Sequence, residues 1–328
     1  MIFNQKILIT GGGSIGQRHL RNLITLGVKD IGVVDIKKDK CLKMERLYKV
    51  RTYADFETAV EDKKWSAVFV CTPPASHILI AARAVRRNIP VFIEKPLAHD
   101  LKGVKKLARA IKARKIAAMV GCNLRFHPAL KKIAVMLEKK VLGKVWGVRA
   151  EFGQYLPDWH PWEDYRKGYS AQKKMGGGIL LDAIHEIDYL YWMFGDIAKV
   201  KAMAEKISDL EIDSEDYAEI VLKFKNGAIG AIHLDYLQRA ASRSLKIIGE
   251  KGTINANLRS GEIKYFLADD KKWRIKKIKH FDYGKTYIDE IKYFLDCMAR
   301  NKMPEISTIG DAERVLEIAL LAKKSSKL

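Results

Sequence analysis

A glycine-rich turn set between an apolar run and a helical pattern leaves this chain few folds to adopt. Residues 6–10 (KILIT) are nearly all apolar, Gly11-Gly12-Gly13-Ser14-Ile15-Gly16 follow, and residues 14–26 repeat apolar positions at helical spacing. Glycines at 11, 13 and 16 satisfy G-x-G-x-x-G, which serves a tight turn, close approach of backbone to a pyrophosphate, and packing of helix on strand. Ser14 and Ile15 open the helix, where free N–H groups and the helix dipole favour an anion. Asp35 ends the next apolar run, 19 residues after Gly16. A carboxylate there accepts hydrogen bonds from the adenine ribose and repels a 2′-phosphate, so the turn reads as an NAD site with NADP disfavoured. Lys37 and Lys38 follow at once and soften that preference. The plain alternative is an ordinary strand–turn–helix with a surface aspartate.

The same alternation continues. AVFVC (67–71), PVFIE (90–94) and AAMVG (117–121) read as buried strands, and 76–87 and 100–114 as amphipathic helices. Strand–helix repetition of this kind implies a doubly wound parallel sheet. After about residue 123 the pattern changes. A helix (128–140), a strand (145–154) and an aromatic loop (155–175) precede Gly176-Gly177-Gly178 and one helix running to about Phe194. From 199 to 280 strands dominate, with Asn226-Gly227 marking a hairpin and KKWRIKKIK (271–279) a lysine-protected edge. Helices at 287–300 and 310–323 close the chain. At 328 residues two domains are expected: a Rossmann domain over 1–122, and an α+β domain with a large, mostly antiparallel sheet over 123–328.

The net charge is +21, of which +14 falls in residues 1–123. In DLKGVKKLARAIKARK (100–115) the cations fill one helix face opposite Leu101, Val104, Leu107 and Ile111, with no aromatic residue interleaved. That reads as a solvated face rather than a nucleic-acid stripe. No apolar run reaches the ~18 residues of a membrane span, and no signal-peptide pattern opens the chain. Cys41, Cys71, Cys122 and Cys297 are scattered, as reduced thiols are. The expected location is the cytoplasm, and no metal-ligand spacing is present.

Several residues then stand where strands of a parallel sheet end, the edge at which such sheets bind ligands. Thr72-Pro73-Pro74, with His77 beyond, reads either as cofactor contact or as helix punctuation. Glu94-Lys95-Pro96 closes the strand at 90–94. The Lys95 ammonium can polarise a substrate oxygen, or it can snorkel as a salt-bridged lysine. Asp182 and His185, three apart, share a helix face; an aspartate beside a histidine suits proton transfer, although a helical histidine is more often structural. The glycines at 176–178 suggest backbone packed on something flat, such as a nicotinamide ring. Asp188, a turn further on, reads as structural.

GGGSIG, TPP with His77, EKPLA, NLRFHP, GGGILLDAIHEIDYLYWMFG and IIGEKGTI occur in this order along nearly the whole chain. Together they resemble the glucose–fructose oxidoreductase/inositol dehydrogenase (Gfo/Idh/MocA) family. The resemblance implies NAD-dependent hydride transfer at a secondary alcohol of a sugar, cyclitol or nucleotide-sugar, in homodimers or homotetramers paired through the C-terminal sheet. It implies that Lys95 is the catalytic lysine with its bond to Pro96 cis, that His185 is the general acid/base, and that Asp182 is its companion. The spacing of Asp182 to His185 is three, where the family pattern has four. This spacing and the loop QYLPDWHPWEDYRKGYSA look like a subgroup linked to surface-polysaccharide and nonulosonic-acid sugars. Gly11, Gly13, Ser14, Ile15, Gly16, Asp35, Thr72, Pro73, His77, Glu94 and Lys95 are thereby expected at the cofactor. Asn123 and Arg125 are expected near nicotinamide and substrate. From the loop, Tyr155 and Trp162 are expected at the substrate, with Trp159, His160, Tyr165, Arg166 and Lys173 as further candidates or as a folded cover. The rival readings are a non-catalytic NAD-binding regulator and a reductase of a non-sugar carbonyl or imine.

Overall fold

The computed structural model describes residues 4–326 except 160 and 162. The chain divides into two compact units, one of residues 1–123 and 284–313, the other of 124–283 and 314–328.

The first unit holds β1 (Lys6–Thr10), β2 (Asp30–Val34), β3 (Arg51–Tyr53), β4 (Ala67–Val70), β5 (Val91–Glu94) and β6 (Ala118–Gly121) in the order β3-β2-β1-β4-β5-β6. Every pairing is parallel. β4 and β5 are buried at every position, which is why their sequences run apolar without alternation. The helices α1 (Ser14–Thr25), α2 (Lys38–Tyr48), α3 (Phe56–Asp62), α4 (Pro74–Arg86) and α5 (Val104–Arg114) connect them. On α5, Val104, Leu107 and Ile111 are buried while Lys105, Lys106, Arg109 and Lys112 face solvent, the solvated face expected from the sequence. α2, α3 and β3 are additions to that expectation. α2 buries only Cys41 and Met44, and a three-residue edge strand is too short to show a period.

The unit is completed from far along the chain. α9 (Gly284–Ala299) packs on α1, with the Arg18 guanidinium 4.5 Å over the Tyr287 ring. Phe294 meets the stacked pair Phe69–Phe92 edge-on. The span 123–328 is therefore not a single unit, because 284–313 returns to the first. The boundary residue Asn123 also belongs there, donating to the Thr286 hydroxyl at 2.7 Å.

The second unit contains α6 (Pro128–Glu138), α7 (Ile179–Asp182), α8 (His185–Phe194) and the strands β7 (Val145–Gly153), β8 (Ile197–Glu205), β9 (Tyr217–Phe224), β10 (Ile229–Asp235), β11 (Ser242–Gly249), β12 (Gly252–Asn257), β13 (Glu262–Leu267) and β14 (Lys272–Lys277). Their order is β14-β13-β12-β11-β7-β10-β9-β8. Only β7 with β10 is parallel; the rest are antiparallel. Gly227, at φ 92°, turns the expected hairpin. β14, exposed along its length, is the cationic edge. One face of the sheet buries Val148, Ala150, Ile220, Leu222, Ile232 and Leu234, and α7 and α8 pack against β7, β9 and β10. α10 (Ile309–Ser325) ends the described chain.

Where one helix is expected after the glycines, there are two. α7 stops at Asp182 and α8 starts at His185. Asp182 and His185 thus lie on either side of a break and not on one helical face.

Candidate active site

The glycine turn is built by contacts that exclude side chains. Gly11, at φ 99°, lies in the left-handed region, and a Cβ there would stand 2.6 Å from the Cys71 carbonyl oxygen. A Cβ on Gly16 would meet the Gly11 carbonyl at 1.9 Å, so α1 begins pressed against the end of β1. Gly13 caps α1 without a side-chain acceptor, and no acidic residue occupies the first turn. The N–H groups of the opening turn are left for an anionic ligand. Asp35 directs one carboxylate oxygen to the Gly12 N–H at 2.7 Å and the other to the Lys37 N–H at 2.9 Å. It orders the turn while keeping acceptor capacity for ribose hydroxyls. A dinucleotide fits this cradle: open backbone donors for phosphates, and a carboxylate one strand away.

Thr72 and Pro73 follow β4 at the same edge of the sheet, half-buried and exposed respectively. His77 does not present its ring there. It is buried, with Nδ1 2.9 Å from the Pro96 carbonyl and Nε2 2.6 Å from the Thr72 carbonyl. Burial lowers its pKa, against the pull of those carbonyls. The expected cofactor contact is instead a clamp between the loops after β4 and β5. Lys95 is half-buried at the end of β5, its bond to Pro96 is cis, and its N–H donates to the Glu94 carboxylate at 3.1 Å. Glu94 itself is buried, so its side chain faces the interior and not a cofactor. The glycine turn, Asp35, Thr72 and Lys95 thus occupy the carboxyl ends of β1, β2, β4 and β5, one edge of one sheet.

In the second unit, Asp182 is buried and accepts the Tyr169, Ser170 and Tyr236 hydroxyls. His185 opens α8, which two buried ion pairs hold. Arg125 grips Asp188 through Nε at 3.0 Å and Nη2 at 2.7 Å, and Arg243 reaches Glu186 at 2.9 Å. Arg125 is 4% exposed, so its expected approach to substrate gives way to a hold on α8. Asn123, fully buried, likewise spends its amide N–H on Thr286. The glycines before α7 pack on the chain itself: a Cβ on Gly177 would strike the Tyr169 carbonyl at 2.2 Å.

Within the aromatic loop, the Trp159 indole donates to the Gln154 carbonyl and its ring packs on Phe152 and Tyr236. The Tyr165 hydroxyl accepts the Glu211 N–H, and Arg166 pairs with Asp164 and Glu211. The Lys173 N–H donates to Asp213. These contacts tie the loop to β7 and to residues 211 and 213. Tyr155 is half-buried under the Arg239 guanidinium, 3.5 Å above its ring. His160 and Trp162 lie outside the described residues. Sequence reasoning passed over Arg243, Tyr169 and Tyr236, whose surroundings in the sequence carry no motif that marks them.

A parallel sheet with a dinucleotide cradle and a lysine on one edge defines an NAD-using oxidoreductase. Residues 5–122 match the sequence model of the oxidoreductase family with an NAD-binding Rossmann fold, and residues 130–255 match the GFO/IDH/MocA C-terminal domain. The chain belongs to the Gfo/Idh/MocA family. It is 29% identical to myo-inositol 2-dehydrogenase of Thermotoga maritima, covering 98% of this chain and 96% of that one. Levoglucosan dehydrogenase, solved with NADH and levoglucosan, superposes with a TM-score of 0.88 at 21% identity over 98% and 97% of the two chains. The WlbA dehydrogenase of Bordetella pertussis, solved with NADH and UDP-GlcNAcA, gives 0.82 at 18% over 98% and 96%. Among the described residues no helix is long and apolar enough to cross a membrane.

Proposed function

We propose that this enzyme reversibly oxidises a secondary hydroxyl of a sugar, cyclitol or nucleotide-linked sugar. The observation that carries the reading is Lys95 on the same sheet edge as the glycine turn and Asp35. The named relatives that act on inositol and levoglucosan support the substrate class.

Gly11, Gly13, Ser14, Ile15, Gly16 and Asp35 would hold NAD, with Thr72 and Pro73 beside them, and bound NAD supplies the hydride acceptor. Lys95 donates a hydrogen bond to the reacting oxygen and draws charge from it as its proton leaves. His185 accepts that proton at a ring nitrogen. Asp182, fixed by three hydroxyls, supplies a stationary negative charge on the segment that presents His185. Tyr155 offers a ring and Arg239 a cation to a polar, anionic substrate. Asn123 holds α9 and Arg125 holds α8, each within its own unit.

We further propose association of two or four copies through the outer face of the eight-stranded sheet, and residence in the cytoplasm. Buried Cys41, Cys71 and Cys122 accord with a reducing compartment. Turnover is tested by following NAD reduction by near-ultraviolet absorbance against free sugars, inositols and nucleotide-linked sugars. Lys95→Met and His185→Ala should each lower kcat by about 10²- to 10⁴-fold with NAD binding retained. Tight NAD binding with no turnover on any compound would replace the reading with that of a non-catalytic NAD-binding protein.

A further inference from the structure

Beneath the sheet edge, in the first unit, three ionisable side chains from distant parts of the chain converge in an apolar interior. His19 comes from α1, three residues past Gly16, Glu94 from the end of β5, and Glu290 from α9. All three are buried, and one ligand-type atom from each lies within 4.8 Å of the others. His19 Nε2 stands 2.5 Å from Glu94 Oε1. The His19 ring meets Phe69 and Phe92 edge-on at 5.9 and 5.3 Å, so no water shell screens it. Glu290 is enclosed on both carboxyl oxygens with no hydrogen-bond partner for either among the described residues.

Two carboxylates cannot both stay ionised in such a place. Burial first, and the charge of Glu94 second, push the Glu290 carboxyl well above the usual range, so it is a neutral acid. His19 Nε2 and Glu94 Oε1 stand at hydrogen-bond distance, so the ring and the carboxylate are joined through a proton. Glu94 is then gripped at both oxygens: Oε1 by His19, and Oε2 by the Lys95 N–H at 3.1 Å.

We propose that His19 is a positioning residue for the reaction: through the Glu94 carboxylate it fixes the main chain at Lys95, tying the helix that opens the cofactor cradle to the strand that presents the lysine. Glu290 closes the cluster with both carboxyl oxygens enclosed, and as a neutral acid it places no second charge beside Glu94. The proposal rests on Lys95 acting at the reacting oxygen, and its test has an arm that needs no substrate.

The sequence contains four Glu–Lys dipeptides, at 94–95, 138–139, 205–206 and 250–251. Labelling glutamate carbonyl carbons with ¹³C and lysine nitrogens with ¹⁵N therefore isolates the Lys95 amide among four peptide signals, and Lys95→Met assigns it by its disappearance. His19→Asn, whose amide is too short to reach Glu94, should shift that signal and speed its hydrogen exchange about tenfold or more. It should lower kcat by a similar factor while NAD affinity and KM stay near wild type. His19→Gln, which places an amide N–H near the Nε2 position, should restore both. Glu290→Gln should remove a neutral-acid carbonyl band from the infrared spectrum of the wild-type protein at neutral pH. Should His19→Asn fail to fold, His19→Leu, which keeps the 94–95 glutamate–lysine peptide and removes the ring nitrogens, must shift the Lys95 amide in its place. An unmoved Lys95 amide, an unmoved kcat beside a lower Tm, or no neutral-acid band overturns the proposal. A wild type that turns over no compound overturns the assignment of Lys95 to catalysis instead, and the amide arm still decides whether His19 fixes that peptide.

Discussion

On β10 the His233 ring lies between two carboxylates, Asp235 at 2.8 Å and Glu219 at 2.7 Å. The bond to Asp235, with help from Glu219, raises its pKa from 6.5 to about 9 despite partial burial. The folded protein thus holds the proton more tightly than the unfolded chain. The stability this adds is complete below about pH 6.5 and is lost as the pH rises through about 9. Wild type should exceed His233→Gln by about 1–2 kcal/mol in urea unfolding near pH 6, and the gap should close near pH 10. At this scale the sequence speaks unevenly. Asp35 and Lys95 are legible because a motif fixes both their place and their task. His77 and Arg125 read as ligand contacts from the sequence because residue type carries no burial. What redirects Arg125 is Asp188, 63 residues away, and no local pattern announces that partner.

α8 shows how an element is held. Glu186 and Asp188, in its first turn, suit the helix N-terminus, yet both are buried and each needs its arginine. Arg125→Met should cost about 3–5 kcal/mol by stranding Asp188, whereas Arg125→Met with Asp188→Leu should recover most of it; thermal unfolding of the two variants decides. Strands β1, β4, β5 and β6 are legible because full burial writes apolar runs, and β9 with β10 because Asn226-Gly227 demands that turn. The break between α7 and α8 is not, since ILLDAIHEIDYLYW keeps helical composition throughout. The break comes from tertiary bonds: Asp182 is held by hydroxyls of Tyr169, Ser170 and Tyr236.

At the scale of the molecule, the outer face of the large sheet carries a row running through Ile229, Gly147, Ile248, Thr253 and Phe266, neighbours in register on five strands. Ile229 and Ile248 are 55% and 43% exposed, and Val221 and Met203 on the neighbouring strands 54% and 70%. Exposed apolar patches on this scale mark interaction surfaces. Under the association proposed above, wild type should sediment as two or four copies and Ile248→Lys as single chains, with NAD binding intact. A mass unchanged by the substitution would place the interface elsewhere. The two-unit architecture was readable from the change of pattern at 123. The return of 284–313 was not, because one amphipathic helix looks like any other until its partner is known.

That return has a consequence for how the protein is made. Chains emerge from the ribosome N-terminus first, and a nascent domain ordinarily closes its core as soon as its own sequence is out. Here the nucleotide-binding half begins synthesis first, yet Asn123 must wait 163 residues for Thr286, and Phe69 and Phe92 wait longer still for Phe294. During that interval the wall of the core that α9 will cover is open to solvent, and the carboxylate Glu94 has no Glu290 beside it. The half that starts first is finished only after nearly the whole of the other has been translated.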